Sequence, residues 1–128
     1  MKNLNRLFHA LLNGSKARKK YAYVQKCNFT LNVLEVLYRE GYINGYSTNF
    51  KDKIRIDIKY LNKHKPAISR MVAISKNHHI RAITFNKLKY YIKKTPVGIT
   101  IISTPKGVLS HRDCIKLGLG GILVALVL

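Results

Sequence analysis

Apolar positions along this chain recur first every three to four residues and then every second residue, and the switches between the two periods divide it into elements. Leu4, Leu7, Phe8 and Leu11 follow an i, i+3, i+4, i+7 spacing. That spacing predicts an amphipathic helix with Asn3 as its cap and Gly14 as its stop. Residues 21–24 read as a short strand. A second helix is predicted over 29–40, capped by Asn28 and ended by Gly41, with Val33, Leu34, Leu37 and Tyr38 on one face. A hairpin follows, its first strand starting at Tyr42-Ile43 and its polar turn at 49–53. In its second strand, 54–60, Ile54, Ile56, Ile58 and Tyr60 alternate inward while Arg55, Asp57 and Lys59 face water.

Residues 61–66, polar and closed by a proline, read as a linker. Beyond it, 68–75 and 80–84 read as strands around a Lys76-Asn77-His78-His79 turn, and 86–94 as a short helix with a basic face. Tyr90 and Tyr91 interleave there with Lys87, Lys89, Lys93 and Lys94, and half-burial of both tyrosines explains them better than base stacking does. The β-branched run 98–103 suits a buried strand, and Pro105-Lys106-Gly107 is turn chemistry. Ser110 and Asp113 form a capping box, so a helix is predicted to start at His111 and stop near Gly118. Gly120-Gly121 breaks the chain before the apolar run 122–128, a last buried strand. The fold class is therefore α+β: an N-terminal α-β-α-β-β lobe over 1–62, and a C-terminal, mostly antiparallel β lobe with short helices over 66–128.

Charge changes the picture more than composition does. The 128 residues carry 24 Lys and Arg against 5 Asp and Glu, a formal net charge of +19. Solubility of a small domain asks for a net charge of only about 2 to 8. The excess repels itself in the compact state and calls for a polyanionic partner, nucleic acid before an anionic membrane surface. No apolar run approaches the roughly 20 residues that span a bilayer. The segment 4–12 is broken by Asn5, Arg6 and His9 and does not read as a secretory signal. Cys27 and Cys114 lack partner spacing and read as thiols rather than a disulfide or metal pair.

Catalytic readings fall away in turn. His111-Arg112-Asp113 spells the HRD of a kinase catalytic loop, but the chain has no glycine-rich loop or DFG and is too short for that fold. His78 and His79, adjacent on a strand, point to opposite faces and have no thiolate or carboxylate cluster beside them. Glu35, Glu40, Asp52, Asp57 and Asp113 are too scattered for paired acid–base work or for Mg²⁺. No enzyme, cofactor or small-molecule substrate is expected. What remains is a surface for phosphates and sugars: the hydroxyls of Ser103 and Thr104 beside Lys106 on a β edge, and the basic loop 15–20.

At this point the residues resemble a known family, small ribosomal subunit protein eight in its bacterial and organellar form. That family shows V/I-S-T-x-x-G-V-M/L-T/S-x-R, then about five residues, then G-x-G-G. Ser103, Thr104, Gly107, Val108, Leu109, Ser110, Arg112, Gly118, Gly120 and Gly121 match it without a gap. Residues 11–14 resemble the end of the family's first helix, 36–43 its L-x-x-E-G-F/Y-I, and the end of 54–60 its L-K-Y. The family's Arg-Ile-Arg-Asn-Gly is here Ala10-Leu11-Leu12-Asn13-Gly14, its S-x-P-G-x-R turn is blurred over 75–81, and the acid after Gly-Gly is Ile122. Such drift, with abundant Lys, Asn, Ile and Tyr, looks like a mitochondrially encoded copy, with another organellar or bacterial ribosome as the alternative.

The resemblance implies a structural protein of the small subunit that grips a helix in the central domain of small-subunit rRNA, supports assembly, and neighbours other ribosomal proteins. It implies RNA contact from Ser103, Thr104, Pro105, Lys106, Gly107, Arg112, Gly120 and Gly121. At the first helix end it leaves Asn13, and the neighbouring Lys16, Arg18, Lys19 and Lys20 are expected to replace the lost arginines. A general RNA-binding or RNA-chaperone module is the alternative; a cationic membrane-surface protein ranks below it.

Overall fold

A computed structural model describes residues 2–76, 78–94 and 97–128. The chain divides into two compact units, Met1–Arg70 and Met71–Leu128. In the first, helix α1 (Lys2–Lys16) is followed by strand β1 (Tyr21–Gln25), helix α2 (Asn28–Arg39) and strands β2 (Ile43–Ser47) and β3 (Lys53–Ile58). The strands form an antiparallel sheet in the order β1-β3-β2, with Val24 opposite Ile54 and Ala22 opposite Ile56. Both helices pack on one face of this sheet. Their Leu4, Leu7, Leu11, Val33, Leu34 and Leu37 are buried against Ile54 and Ile56, as the 3.6 and 2 periodicities require. The order α-β-α-β-β is the one the sequence predicts.

The boundaries differ for identifiable reasons. Asn3 lies inside α1, and its amide donates to Cys27 Sγ at 3.2 Å instead of capping the helix. Gly14 does not stop α1 either. It is buried against the sheet, where a Cβ would stand 2.8 Å from Ile58 Cδ1, so a small residue is needed for packing. The helix runs to Lys16 and is terminated by Arg18, which takes a left-handed conformation at φ 55°. Arg18 N–H donates to the carbonyl of Ser15 and Lys19 N–H to that of Gly14, the two bonds of a Schellman ending. Cys27, not Asn28, occupies the cap position of α2. Val36 and Thr30 are buried where Tyr38 was expected; Tyr38 is half exposed, its ring edge-on to Tyr46. The Tyr46 hydroxyl donates to Glu35 at 2.6 Å, which lowers the Glu35 pKa and raises that of Tyr46.

The stretch 61–66 is a hairpin and not a linker: β4 (Tyr60–Asn62) pairs with β5 (Lys65–Pro66). Tyr60 therefore leaves the β3 face, and the contact boundary falls after Arg70.

The second unit is built around its last strand. Strands β6 (Met71–Ala73), β7 (Ala82–Ile83) and β8 (Ile99–Thr104) all pair with β10 (Gly121–Val127), and β8 pairs in turn with β9 (Gly107–Ser110). The strands expected over 68–75 and 80–84 shorten to β6 and β7. Lys76 and His79 close the turn between them through reciprocal backbone bonds of 2.9 and 3.0 Å; Asn77 lies outside the described residues. Helix α3 (Phe85–Lys94) and helix α4 (His111–Leu117) enclose a small core of Leu88, Ile102, Cys114 and Leu123 with the sheet. Tyr91 packs against that core, while Tyr90 is exposed with Lys94 Nζ over its ring at 4.6 Å.

Helix α4 follows its local signals closely. Ser110 Oγ accepts from Asp113 N–H, and Gly118 takes the left-handed C-cap conformation at φ 69°.

The two thiols differ in environment. Backbone amides of Thr30 and Phe29 hold the Cys27 thiol below its usual range, against an opposing push from burial. Burial and the neighbouring Asp113 carboxylate push Cys114 up to about 11. In the folded protein a disulfide reagent is therefore expected to label Cys27 alone near neutral pH, its rate rising through a midpoint below that of a free thiol. Cys114 should react only in denaturant; mass spectrometry of the labelled peptides checks both.

Candidate nucleic-acid interface

Between β8 and β9 the chain reverses through Pro105-Lys106, with Thr104 paired to Gly107 and Ser103 to Val108. Proline sets φ for the first turn position, and Pro105, Lys106 and Gly107 are all exposed. A Cβ on Gly107 would meet nothing within 4 Å, so the hairpin tip projects into open space. β8 is an inner strand, and β9 forms the edge.

The adjacent hydroxyls have different roles. Thr104 is buried; its Oγ1 donates to the Gly107 carbonyl at 2.7 Å and accepts from Lys106 N–H at 3.2 Å. It braces the turn from within, which corrects the expectation that it presents a hydroxyl outward. Ser103 is partly exposed; its backbone pairs with Val108 and Ile122, and its side-chain hydroxyl makes no hydrogen bond among the described residues, which leaves its donor and its acceptor pairs open.

Arg112 lies exposed on the first turn of α4. Behind it, His111 Nδ1 accepts from Thr100 N–H at 3.0 Å and ties the helix start to β8. Gly120 and Gly121 are explained by the protein itself. A Cβ on Gly120 would collide with the Ile83 carbonyl and stand 2.9 Å from Phe85 N, and one on Gly121 would collide with the Ser103 carbonyl. Both glycines let backbones approach within the sheet.

In the first unit, Asn13, Lys16, Arg18, Lys19 and Lys20 are exposed around the C-terminal end of α1. Cations there also face the negative end of the helix dipole. The β4–β5 hairpin joins them: the Tyr60 hydroxyl donates to the Lys19 carbonyl at 2.6 Å, and Arg18 Nη2 lies 3.3 Å from His64 Nδ1. Lys63 and Lys65, on either side of His64, thereby extend this cationic surface. They escaped the sequence reading because 61–66 looked like a linker. The signal was Asn62, whose Oδ1 accepts from His64 N–H at 2.9 Å, the bond an Asx turn makes.

Among the described residues no group of His, Cys, Asp and Glu is placed to hold a metal ion, and no helix is long and apolar enough to cross a membrane.

The different roles of the two hydroxyls can be tested by stability alone. Thr104→Val removes both turn bonds and is expected to cost about 1–2 kcal/mol. Ser103→Ala should stay within about 0.5 kcal/mol of the parent. Thermal melts of the two variants distinguish them.

The sequence model of the family described as ribosomal protein S8 matches residues 3–128. Small ribosomal subunit protein uS8 of Erythrobacter litoralis is 39% identical over 116 residues, covering 88% of this chain and 86% of the relative. The uS8 of Zymomonas mobilis is 36% identical over 125 residues, 95% of this chain and 93% of the relative. Small ribosomal subunit protein uS8m of Acanthamoeba castellanii is 32% identical over 121 residues, 94% of each chain. The chain belongs to the ribosomal protein S8 family, structural proteins of the small ribosomal subunit and not enzymes.

Proposed function

We propose that the β8–β9 hairpin reads a helix in the central domain of small-subunit rRNA, and that the cations at the end of α1 hold the RNA backbone. The observation that carries this reading is the hairpin tip: Pro105, Lys106 and Gly107 project outward, braced by Thr104, with an uncommitted Ser103 hydroxyl one pair below. A-form RNA presents a wide, shallow minor groove lined with 2′-hydroxyls, and its major groove is too narrow for side chains. A rigid two-residue turn fits the shallow groove. There Ser103 Oγ both donates to and accepts from 2′-hydroxyls or base edges, and Lys106 and Arg112 neutralise flanking phosphates. Lys16, Arg18, Lys19 and Lys20, with Lys63 and Lys65, supply charge without sequence information. Asn13 is a further polar contact on the same helix end. Gly120 and Gly121 act indirectly, by seating β10 against the strand that carries Ser103.

The protein works by binding: it holds an rRNA helix in shape while other ribosomal proteins assemble around it. The general RNA-binding alternative is not favoured, because the family model spans residues 3–128. We infer a mitochondrial ribosome as the site of action. The uS8m relative and the drift toward Lys, Asn, Ile and Tyr support this. Recovery of the protein only from non-mitochondrial ribosomes on cell fractionation would overturn it.

Titration against the central-domain rRNA hairpin and a scrambled hairpin of equal length, across a salt series, tests the RNA reading. The parent is expected to prefer the cognate hairpin. Ser103→Ala should weaken that preference about threefold to tenfold with the salt slope unchanged. Replacing Lys16, Arg18, Lys19 and Lys20 by Ala should weaken both RNAs alike and flatten the slope. Equal affinity of the parent for both hairpins would sink the proposal.

A further inference from the structure

The face of the first sheet turned away from α1 and α2 carries a group of residues that the hairpin mechanism does not use. Tyr21 and Tyr23 alternate outward along β1, opposite the buried Ala22 and Val24. Across the register, Tyr23 pairs with Arg55 and Tyr21 with Asp57, so all four side chains share one face. Phe50, from the loop before β3, stands edge-on to Tyr23 at 88°, with ring centroids 5.8 Å apart. The Arg55 guanidinium lies 4.5 Å from the Tyr21 centroid and 5.7 Å from that of Phe50, and Lys20 Nζ lies 5.4 Å from Tyr21. Arg55 Nε lies 3.4 Å from Asp57 Oδ1, an ion pair without hydrogen-bond geometry. Tyr23 is 50% and Phe50 38% exposed. With Lys51, Asp52 and Lys53 they line a concavity of about 490 Å³.

We propose that this face is a stacking platform for an unpaired nucleotide of RNA. Two aromatic rings at a right angle form a notch with one wall open for a base to stack and the other meeting its edge. The exposed ring of the strand is that of Tyr23; the Tyr21 ring, two residues away on the same face, carries the Arg55 guanidinium and so sets a cation beside the notch. Charge selects the occupant. Lys20, Lys51, Lys53 and Arg55 outnumber Asp52 and Asp57 around the rings, so a polyanion is attracted where an ordinary apolar protein segment is not. Stacking tolerates any base, whereas the hairpin reads a paired helix, so the two surfaces take different RNA elements.

The test uses the full chain and a single-stranded ribo-oligonucleotide containing one 2-aminopurine, followed by fluorescence across a salt series. Binding is expected to quench the probe. Tyr23→Ala with Phe50→Ala should weaken binding about tenfold and remove the quench, with the salt slope unchanged. Tyr23→Phe should restore both. The double alanine variant should remain folded, melting cooperatively a few degrees at most below the parent, and should keep its affinity for the central-domain hairpin, which separates this surface from the β8–β9 tip. Unchanged affinity and quench in the double variant would overturn the proposal and leave the face to a protein neighbour. A loss that follows the salt slope instead of the rings would overturn it equally, by assigning the binding to the lysines.

Discussion

The second unit depends on how closely backbones approach along β10. Gly120 and Gly121 meet the backbones of Ile83, Phe85 and Ser103 with no room for a Cβ. That closeness lets one strand pair with β6, β7 and β8 together. The position of Ser103 is set by its backbone pairing to Ile122, and the hairpin tip sits on the end of the same strand. The β8–β9 turn, the one proposed to meet RNA, is therefore held by main-chain geometry several residues away. Side-chain chemistry enters only at the last step, where Thr104 closes the turn.

Charge works against this architecture. Net charge of +19 on 128 residues repels itself, and of the 5 acids Glu35 is engaged by Arg39 and Tyr46, and Asp57 by Arg55. The fold keeps its cations off the core and gathers several at the end of α1 and on the β4–β5 hairpin, where a polyanion can screen them. Arg18 shows the competing demands at one residue. It occupies the left-handed position that ends α1, a conformation costing a non-glycine residue roughly 1–2 kcal/mol, and it carries a guanidinium at the helix's negative end.

Much of this was legible in the residues, and the failures share a cause. Where a signal is local and has no rival, as at Ser110, Asp113 and Gly118, the element begins and ends where the pattern says. Where a tertiary contact competes, it wins. Gly14 looks like a helix stop but is small because Ile58 packs on it, and Asn3 looks like a cap but bonds to Cys27. Thr104 and Ser103 have near-identical chemistry in sequence, and only pleat direction and turn closure reveal that one hydroxyl is used internally. The Lys63 and Lys65 cations and the outward Tyr23–Phe50 pair could not be seen, since each depends on which face or hairpin the chain makes.

The central place of β10 also has a consequence in time. The strand that joins β6, β7 and β8 is later in sequence than all of them, so none can complete its pairing until β10 has been made. The first unit has its own sheet and helices and can close earlier, because its contacts lie within the first seventy residues. During synthesis, a finished N-terminal unit is therefore followed by an interval in which the apolar β8 stands without its main partner. In that interval β8 has only β9 beside it, and its open edge is exposed to misassembly until β10 emerges and aligns it.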